Sequence, residues 1–424
     1  MKKTGKRAKR AKSVWVYVLG VAILGILFFT NDFGLSDIQK TAIVLAVGID
    51  RTGDDFTVTS QIAVPSANTQ GENSAEAMQV TTRGKTVAAA IQKVSEKTGW
   101  YPKLVFCKLI VLGSSTLAHD VFESLDYFLR NEYTSDDCLL CCCEKEAKSI
   151  LEETVPFESV SSLAIEKLLS DHAAKVGLVS PSSLRSFAVG YFGESKSATM
   201  PLLKTVPLNQ DESGGSGSSG SSESSGSSDN SDESGGGKEE AEGKSQGQDN
   251  AAKTGKTTYA ASETAFFFGG RYVGTLTAEE TFVYRLISDG VRLATLNVDY
   301  GGVTHTLFIK QGKAKIQFNV DDLSVPRLRI DVKADAKLQD LSASQSIVEI
   351  AAPENVRTEI LKAAEDKTLA LLKSGFEKSR AQNCDLYGVK KRLQKFESRY
   401  YRAFGDDVLD RVTLHGSAKF FTSG

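Results

Sequence analysis

Hydrophobic positions along the chain follow two spacings, one typical of strands and one typical of helices. Residues 41–50 form a nearly continuous apolar run, which indicates a strand covered on both faces. Residues 56–64 alternate apolar with polar side chains, which indicates a strand with one face in water. A short acidic loop around Gly53 separates the two runs. The pattern therefore predicts a β-hairpin that turns at Gly53, with Asp50 interpreted as a turn residue at the end of its first strand.

Helical and strand-like segments alternate through the rest of the first half. Val87, Ile91 and Val94 recur at helical spacing and are followed by Gly99, which predicts a helix that ends in a left-handed residue. This alternation is typical of an α/β or α+β fold. Strands are also predicted over 103–113, 138–143 and 198–208, and helices over 116–131, 144–153, 159–175 and 180–192.

The second half begins with a predicted hairpin over Gly269 and Gly270. Thr277 and Glu280 have the spacing of a capping box, which predicts the start of a helix. Alternating segments then predict an open antiparallel sheet with one wet face, and helices are expected to cover the other face. These strands are predicted over 304–311, 313–320, 327–341 and 412–421, and the helices from Pro353 and over 389–404.

Charge and hydropathy change the picture at the N-terminus. Seven lysines and arginines precede Val14, and residues 14–29 carry no charge. As a helix this run spans roughly 24 Å against about 30 Å of hydrocarbon, and the positive charges favour a cytoplasmic N-terminus. We expect a basic cytoplasmic tail (1–13) and an uncleaved transmembrane signal anchor (14–30); cleaved secretion and a buried soluble helix remain alternatives. The expected anchor residues are Trp15, Tyr17, Leu19, Ile23, Leu27 and Phe28.

Composition breaks sharply between the two halves. Residues 209–257 are rich in Gly, Ser and acidic side chains, and the stretch is predicted to be a disordered linker because it has too little apolar surface to bury. It separates an N-terminal mixed α/β region (36–208), which is one or two domains with a possible boundary near residue 150, from a C-terminal α+β domain (258–424). The predicted fold class is α+β or mixed α/β, in a multi-domain ectodomain behind one N-terminal transmembrane helix.

Candidate chemistry is sparse. The net charge of −2 gives no field that would favour nucleic acid, and the four histidines are far apart, with no metal-ligand spacing. The cysteines at 138 and 141–143 are interpreted as small buried residues of a core strand, although an exported chain with six cysteines could also form disulfides. Neither a nucleophile motif nor a phosphate-binding loop occurs. We therefore predict no enzyme, no cofactor and no metal, and leave small-molecule binding open.

Both halves resemble the Ger(x)C family, the C subunit of spore germination nutrient receptors. The family's apolar strand ends in a Gly-Ile-Asp triplet, here Gly48, Ile49 and Asp50, and its strand resembling KLIVLG ends here at Gly113. A helix of the family ends in a Phe-Leu-Arg motif, here Phe128, Leu129 and Arg130, and an Asp and a Gly, here Asp385 and Gly388, lie between its C-terminal helices. The similar segments are 37–50, 81–142, 262–281, 384–401 and 417–424.

The resemblance implies a non-catalytic, extracytoplasmic subunit of the spore inner membrane. Such a subunit works with an A-type and a transporter-like B-type membrane subunit in receptor assembly or signal transfer. The chain departs from the family in lacking the lipid-bearing cysteine, so the apolar helix is expected to replace the lipid as anchor. It also departs in the Gly/Ser insertion and in having Tyr400 and Tyr401 where the family often has a tryptophan. The alternative is a membrane-anchored solute- or wall-binding module unrelated to sporulation.

Overall fold

A computed structural model shows two β-sheets with helices packed on them. It describes Trp15 and residues 17–25, 41–64, 76–208, 257–319, 326–341 and 356–423. The basic tail at 1–13, the predicted anchor residues Leu27 and Phe28, and the linker up to residue 256 lie outside the described residues.

The first sheet has ten strands in the order β10-β9-β8-β6-β5-β1-β2-β3, with β4 beside β1 and β7 beside β6. Its centre (β8, β6, β5 and β1) is parallel, and antiparallel strands extend it on both sides. The strands are β1 (Thr41–Thr52), β2 (Asp55–Val64), β3 (Glu76–Gly84), β4 (Tyr101–Lys103), β5 (Leu109–Leu112), β6 (Leu139–Cys143), β7 (Ser182–Ser183), β8 (Ser197–Pro207), β9 (Thr257–Phe268) and β10 (Arg271–Leu276).

Helices cover both faces of this sheet, so β1 contributes to two cores. Val47 and Ile49 pack in one core with Leu125, and Ala46 packs in the other with Ile150. This arrangement confirms the continuous apolar run as a strand buried on both faces. The helices of this half are α1 (Val87–Thr98), α2 (Ser114–Leu117), α3 (Phe122–Arg130), α4 (Ala147–Glu152), α5 (Ser161–Leu168), α6 (Asp171–Lys175) and α7 (Leu184–Phe192).

Local turn and cap signals are confirmed where they depend on a single residue. Gly53 and Gly99 both have positive φ, at +61° and +72°. The predicted helix over 116–131 is wrong as one element, because it divides into α2 and α3. Asp120 accepts a hydrogen bond from Phe122 N at 2.9 Å, and this local contact begins a new helix instead of continuing the first.

The second sheet has four strands in the order β11-β12-β13-β14, with one face buried under helices. The expectation of a fully antiparallel sheet is wrong for its last strand, because β14 runs parallel to β13. Helices between residues 358 and 411 connect the two strands, and a helical crossover is the usual connection between parallel neighbours. The elements are α8 (Ala278–Ser288), β11 (Val291–Tyr300), β12 (Val303–Asn319), β13 (Arg327–Leu341), α9 (Thr358–Ala381), α10 (Val389–Phe396), α11 (Ser398–Phe404), α12 (Val408–Arg411) and β14 (Thr413–Phe421).

The first sheet contains strands from both sides of the predicted linker. β8 ends at Pro207 before the linker, β9 begins at Thr257 after it, and the two strands are hydrogen-bonded antiparallel neighbours. Since β9 and β10 complete the first sheet, the sequence division at 209–257 separates two strands of one structural layer.

The N-terminal segment is helical at Trp15 and over residues 17–25. Trp15, Tyr17, Leu19 and Ile23 are each at least half exposed. Within the part of the chain that the structure describes, no helix is both long enough and apolar enough to cross a membrane.

Candidate functional site

A buried carboxylate caps a helix in the first half of the chain. Asp50 lies in β1 with only 5% of its surface exposed, so its interpretation as a turn residue is wrong. Its two oxygens accept hydrogen bonds from the first two backbone N–H groups of α4, Ala147 at 2.9 Å and Lys148 at 3.1 Å. Burial raises the pKa of Asp50, while these two N–H donors act in the opposite direction. Asp50 therefore caps α4 from a distant strand, in a role usually taken by the residue just before a helix.

Two glycines make room for this cap. A Cβ at Gly113, just after β5, would overlap the Asp50 carboxylate and would lie 2.8 Å from Ala147 N. A Cβ at Gly48 would lie 3.0 Å from Leu151 Cδ1 and 3.1 Å from Ala147 Cβ, where β1 packs against α4. The structure thus brings Gly48, Asp50 and Gly113 together at one helix N-terminus.

A second buried aspartate repeats the arrangement in the second half. Asp385 accepts hydrogen bonds from Val389 N at 2.7 Å and Lys390 N at 2.8 Å, at the start of α10. Burial raises its pKa, and the same N–H donors counteract the increase. Gly388, which precedes α10, has φ +69°, a conformation that favours glycine.

The Asp385 loop also contacts the first sheet. Asp385 N donates to Ser197 Oγ of β8 at 2.8 Å, and Cys384 Sγ donates to Phe267 O of β9 at 3.3 Å. The Lys390 ammonium lies 5.5 Å from the centre of the Phe268 ring. These contacts join the helical layer of the second half to the strands that complete the first sheet.

The other predicted motif residues lie away from both caps. Ile49 of β1 and Phe128 of α3 are buried in one core, and Leu129 packs on that core from a partly buried position. Arg130 is on the surface and pairs with Asp126 one helical turn earlier, at 2.8 Å. The Phe-Leu-Arg motif is therefore two packing residues followed by a surface charge.

Sequence reasoning missed a further buried acid network at Glu280. The predicted capping box is confirmed, since Thr277 N donates to Glu280 Oε2 at 2.9 Å. Glu280 also accepts hydrogen bonds from Ser374 and Lys378 of α9, each at 2.6 Å. Burial alone raises the pKa of Glu280, but the bonds from Lys378 and Ser374 outweigh it and hold the pKa below its usual value. The network ties α8 to α9, and the capping-box spacing was its only sequence signal.

The cysteine question left open by the sequence is resolved in favour of free thiols. All six cysteines are buried and unpaired, and three of them lie consecutively in β6. Burial raises the pKa of the Cys143 and Cys384 thiols to about 12. Among the described residues, no three His, Cys, Asp or Glu side chains come together as metal ligands.

A polar cavity of about 240 Å³ lies where the two halves meet. Tyr284 and Arg285 of α8 line it together with Ser182, Ser186 and Ser197 of the first half. Arg285 pairs with Asp289 at 2.5 Å, while its Nε is buried and has no partner among the described residues. The cavity is large enough for a small polar molecule, and in its wall Ser288 Oγ donates to Asp289 Oδ2 at 3.1 Å, the carboxylate that also pairs with Arg285.

Comparisons with known proteins agree with this architecture in both halves. A family model described as the spore germination protein N-terminal domain matches residues 35–205, and one described as spore germination B3/GerAC like, C-terminal, matches residues 262–411. The fold is similar to that of a solved structure titled "Crystal Structure of the GerBC protein", with a TM-score of 0.50 and 15% identity over 89% of this chain and 97% of that chain. No curated protein matches the chain.

The two matched ranges cover most of the chain, in the family's order. They define a two-part spore germination protein whose N- and C-terminal regions are both present. The chain belongs to the GerAC family of spore germination proteins.

Proposed function

We propose that this protein is the C subunit of a germinant receptor and acts in receptor assembly or signal transfer during spore germination. The observation that carries the proposal is the match of both family regions, over 35–205 and 262–411. Its role is non-catalytic: the buried acids of the two caps face helix N–H groups, and their oxygens are used to hold helices in place.

The proposed location is the outer face of the spore inner membrane. Seven positive charges followed by the uncharged residues 14–29 support a signal anchor with its N-terminus in the cytoplasm. The rest of the chain then lies outside, where its partners are the A-type and B-type membrane subunits of the receptor.

The nutrient response of spores tests this function. Spores that lack the chain should fail to germinate in response to the nutrient that is recognised by the receptor whose genes neighbour the gene for this chain. Complementation with the full chain should restore the response. Unchanged germination with that nutrient would contradict the proposal. Absence of neighbouring genes for A- and B-type subunits would also count against it.

A second candidate function is binding of a small solute, and the cavity at Arg285 favours it. The cavity lining is polar and includes the Arg285 guanidinium, a group suited to a carboxylate or another small anion. Calorimetric titration of the full chain in detergent with individual amino acids tests this alternative. Heat that disappears in Arg285→Met would support solute binding, and no heat with any amino acid would argue against it.

A further inference from the structure

Large apolar side chains are exposed together near the N-terminal ends of the parallel strands of the first sheet. Tyr101 is 66% exposed, Val105 48%, Phe106 53% and Tyr133 62%. We call these four residues the Tyr101 edge. Single exposed apolar residues are ordinary, whereas several at one edge indicate a surface that something covers.

Strand register places these residues at one edge of the sheet. Tyr101 pairs in parallel with Thr41, the first residue of β1. Val105 and Phe106 lie between β4 and β5, and Tyr133 lies in the loop that precedes β6. β1, β5 and β6 are parallel, so their starting ends meet at the same edge. The Tyr101 phenol is also close enough to Tyr133 to help raise its pKa, after the larger effect of Glu132.

The turn between β4 and β5 has unusual chemistry. Cys107 N donates to Leu104 O at 2.9 Å, so Val105 and Phe106 are its two central residues. Central turn positions generally favour Gly, Pro, Asn, Asp or Ser. Here the tip carries a branched aliphatic side chain and an aromatic ring, both about half exposed. Nothing in the turn's own hydrogen bonding requires these two residue types.

The path of the chain indicates what lies beside this edge. Ten residues, 31–40, separate the predicted anchor from Thr41, and ten residues reach at most about 36 Å. β1 is itself about 36 Å long, so in an upright orientation its far end at Gly53 could face the bilayer only if all ten residues were fully extended. The Tyr101 edge is therefore the part of the sheet held nearest to the membrane.

The chemistry of the edge fits the boundary between lipid headgroups and acyl chains. Aromatic side chains concentrate at that depth because the ring is apolar and a tyrosine hydroxyl stays hydrated. Charges near the edge are mixed: Lys103 and Lys108 lie close in sequence to the turn, Glu132 precedes Tyr133, and Asp137 follows it four residues later. Because the cations are not in excess, apolar insertion supplies the contact and an anionic lipid is not required.

We propose that the Tyr101 edge rests on the bilayer, with Phe106 and its neighbours inserted at the headgroup boundary. This contact fixes the orientation of the ectodomain on the membrane. A single anchor alone would leave the ectodomain free to rotate. The inference rests on the proposed N-terminal anchor and adds a second membrane contact to it.

Quenching by brominated lipid tests the contact on the full chain. The protein is reconstituted into phosphatidylcholine vesicles in a Trp15→Phe, Trp100→Phe background, which removes both native tryptophans, so that each variant carries its reporter as the one tryptophan. Phe106→Trp and Tyr133→Trp place reporters at the edge. Asp54→Trp is the matched control, because Asp54 is exposed in the turn at the far end of β1.

Lipid brominated in its acyl chains should reduce the emission of Phe106→Trp and Tyr133→Trp and leave Asp54→Trp unchanged. If the protein floats with the vesicles and each of the three variants has the same emission in brominated as in unbrominated lipid, the edge contact is overturned and the anchor is left in place. Quenching that appears only after co-reconstitution with receptor subunits would also overturn it, because a protein would then be the occupant. Failure of the protein to float with the vesicles would refute the anchor and, with it, this inference.

Discussion

The carboxylate of Asp50 occupies the space that a side chain at residue 113 would need. Gly113 therefore lies beside Asp50 without a Cβ, and the N-terminus of α4 closes over both residues. Asp50 ends the Gly-Ile-Asp triplet of this chain, and Gly113 ends its KLIVLG segment. One buried helix cap thus accounts physically for two motifs that are far apart in sequence.

Removing the Asp50 carboxylate should destabilise the protein. Asp50→Ala leaves two buried N–H donors of α4 without acceptors, and we expect a loss of about 2–4 kcal/mol in the free energy of unfolding. Asp50→Asn keeps one acceptor and should lose less. Urea unfolding measures both variants, with Asp54→Ala in the exposed turn as a control near wild type. Equal stability of Asp50→Ala and Asp54→Ala would refute the capping role.

Gly113→Ala should be destabilising because of Asp50. We expect a cost of about 3 kcal/mol for forcing a methyl group against the carboxylate. In an Asp50→Ala background the same change should cost less, since the nearest remaining atom is Ala147 N at 2.8 Å. A double-mutant cycle of unfolding free energies measures the difference. Strict additivity of the two single changes would show that the residues act independently.

Acid should weaken the link between α8 and α9 through Glu280. Its pKa is lower in the folded protein than the ordinary 4.5, so the unfolded chain takes up the proton more readily. The stabilisation is present above pH 4.5 and is lost as the pH falls through the folded-state pKa. Wild type should therefore lose more stability than Glu280→Gln between about pH 7 and about pH 4.

Urea midpoints at the two pH values measure this difference. Glu279→Gln is the matched control, because Glu279 is the neighbouring residue and its side chain is 56% exposed. It should follow wild type. Parallel pH profiles for wild type and Glu280→Gln would contradict the assigned role.

The native thiols should be unreactive. All six cysteines are buried, and burial raises the pKa of Cys143 and Cys384 to about 12, so little thiolate is available at neutral pH. A colorimetric thiol reagent should label none of them in the native protein and all six after denaturation without reductant. Asp54→Cys should add one rapidly reacting thiol. Fewer than six thiols in the denatured protein would indicate a disulfide.

Local signals in the sequence were sufficient for the turns and caps that depend on neighbouring residues. Gly53, Gly99 and the Thr277–Glu280 pair each act within a few residues, so their roles could be predicted from spacing alone. The apolar run of β1 likewise predicted a strand buried on both faces, because such a strand carries apolar side chains at successive positions instead of alternate ones.

Contacts between distant residues could not be predicted in the same way. Asp50 meets α4 across 97 residues, so locally it has the appearance of a turn acid. The parallel direction of β14 depends on the path of the helices before it, and β9 joins β8 across the whole linker. Neither relationship leaves a pattern within a short window of sequence.

The proposed function depends on whether the chain is part of a receptor assembly. Co-purification from detergent-solubilised membranes of sporulating cells tests it most directly, with the tagged full chain and a control lacking residues 1–30. We expect A-type and B-type multi-pass subunits to be recovered with the full chain. Recovery of a membrane-bound chain without either subunit would contradict the assembly role, and the family relationship would then describe the fold alone.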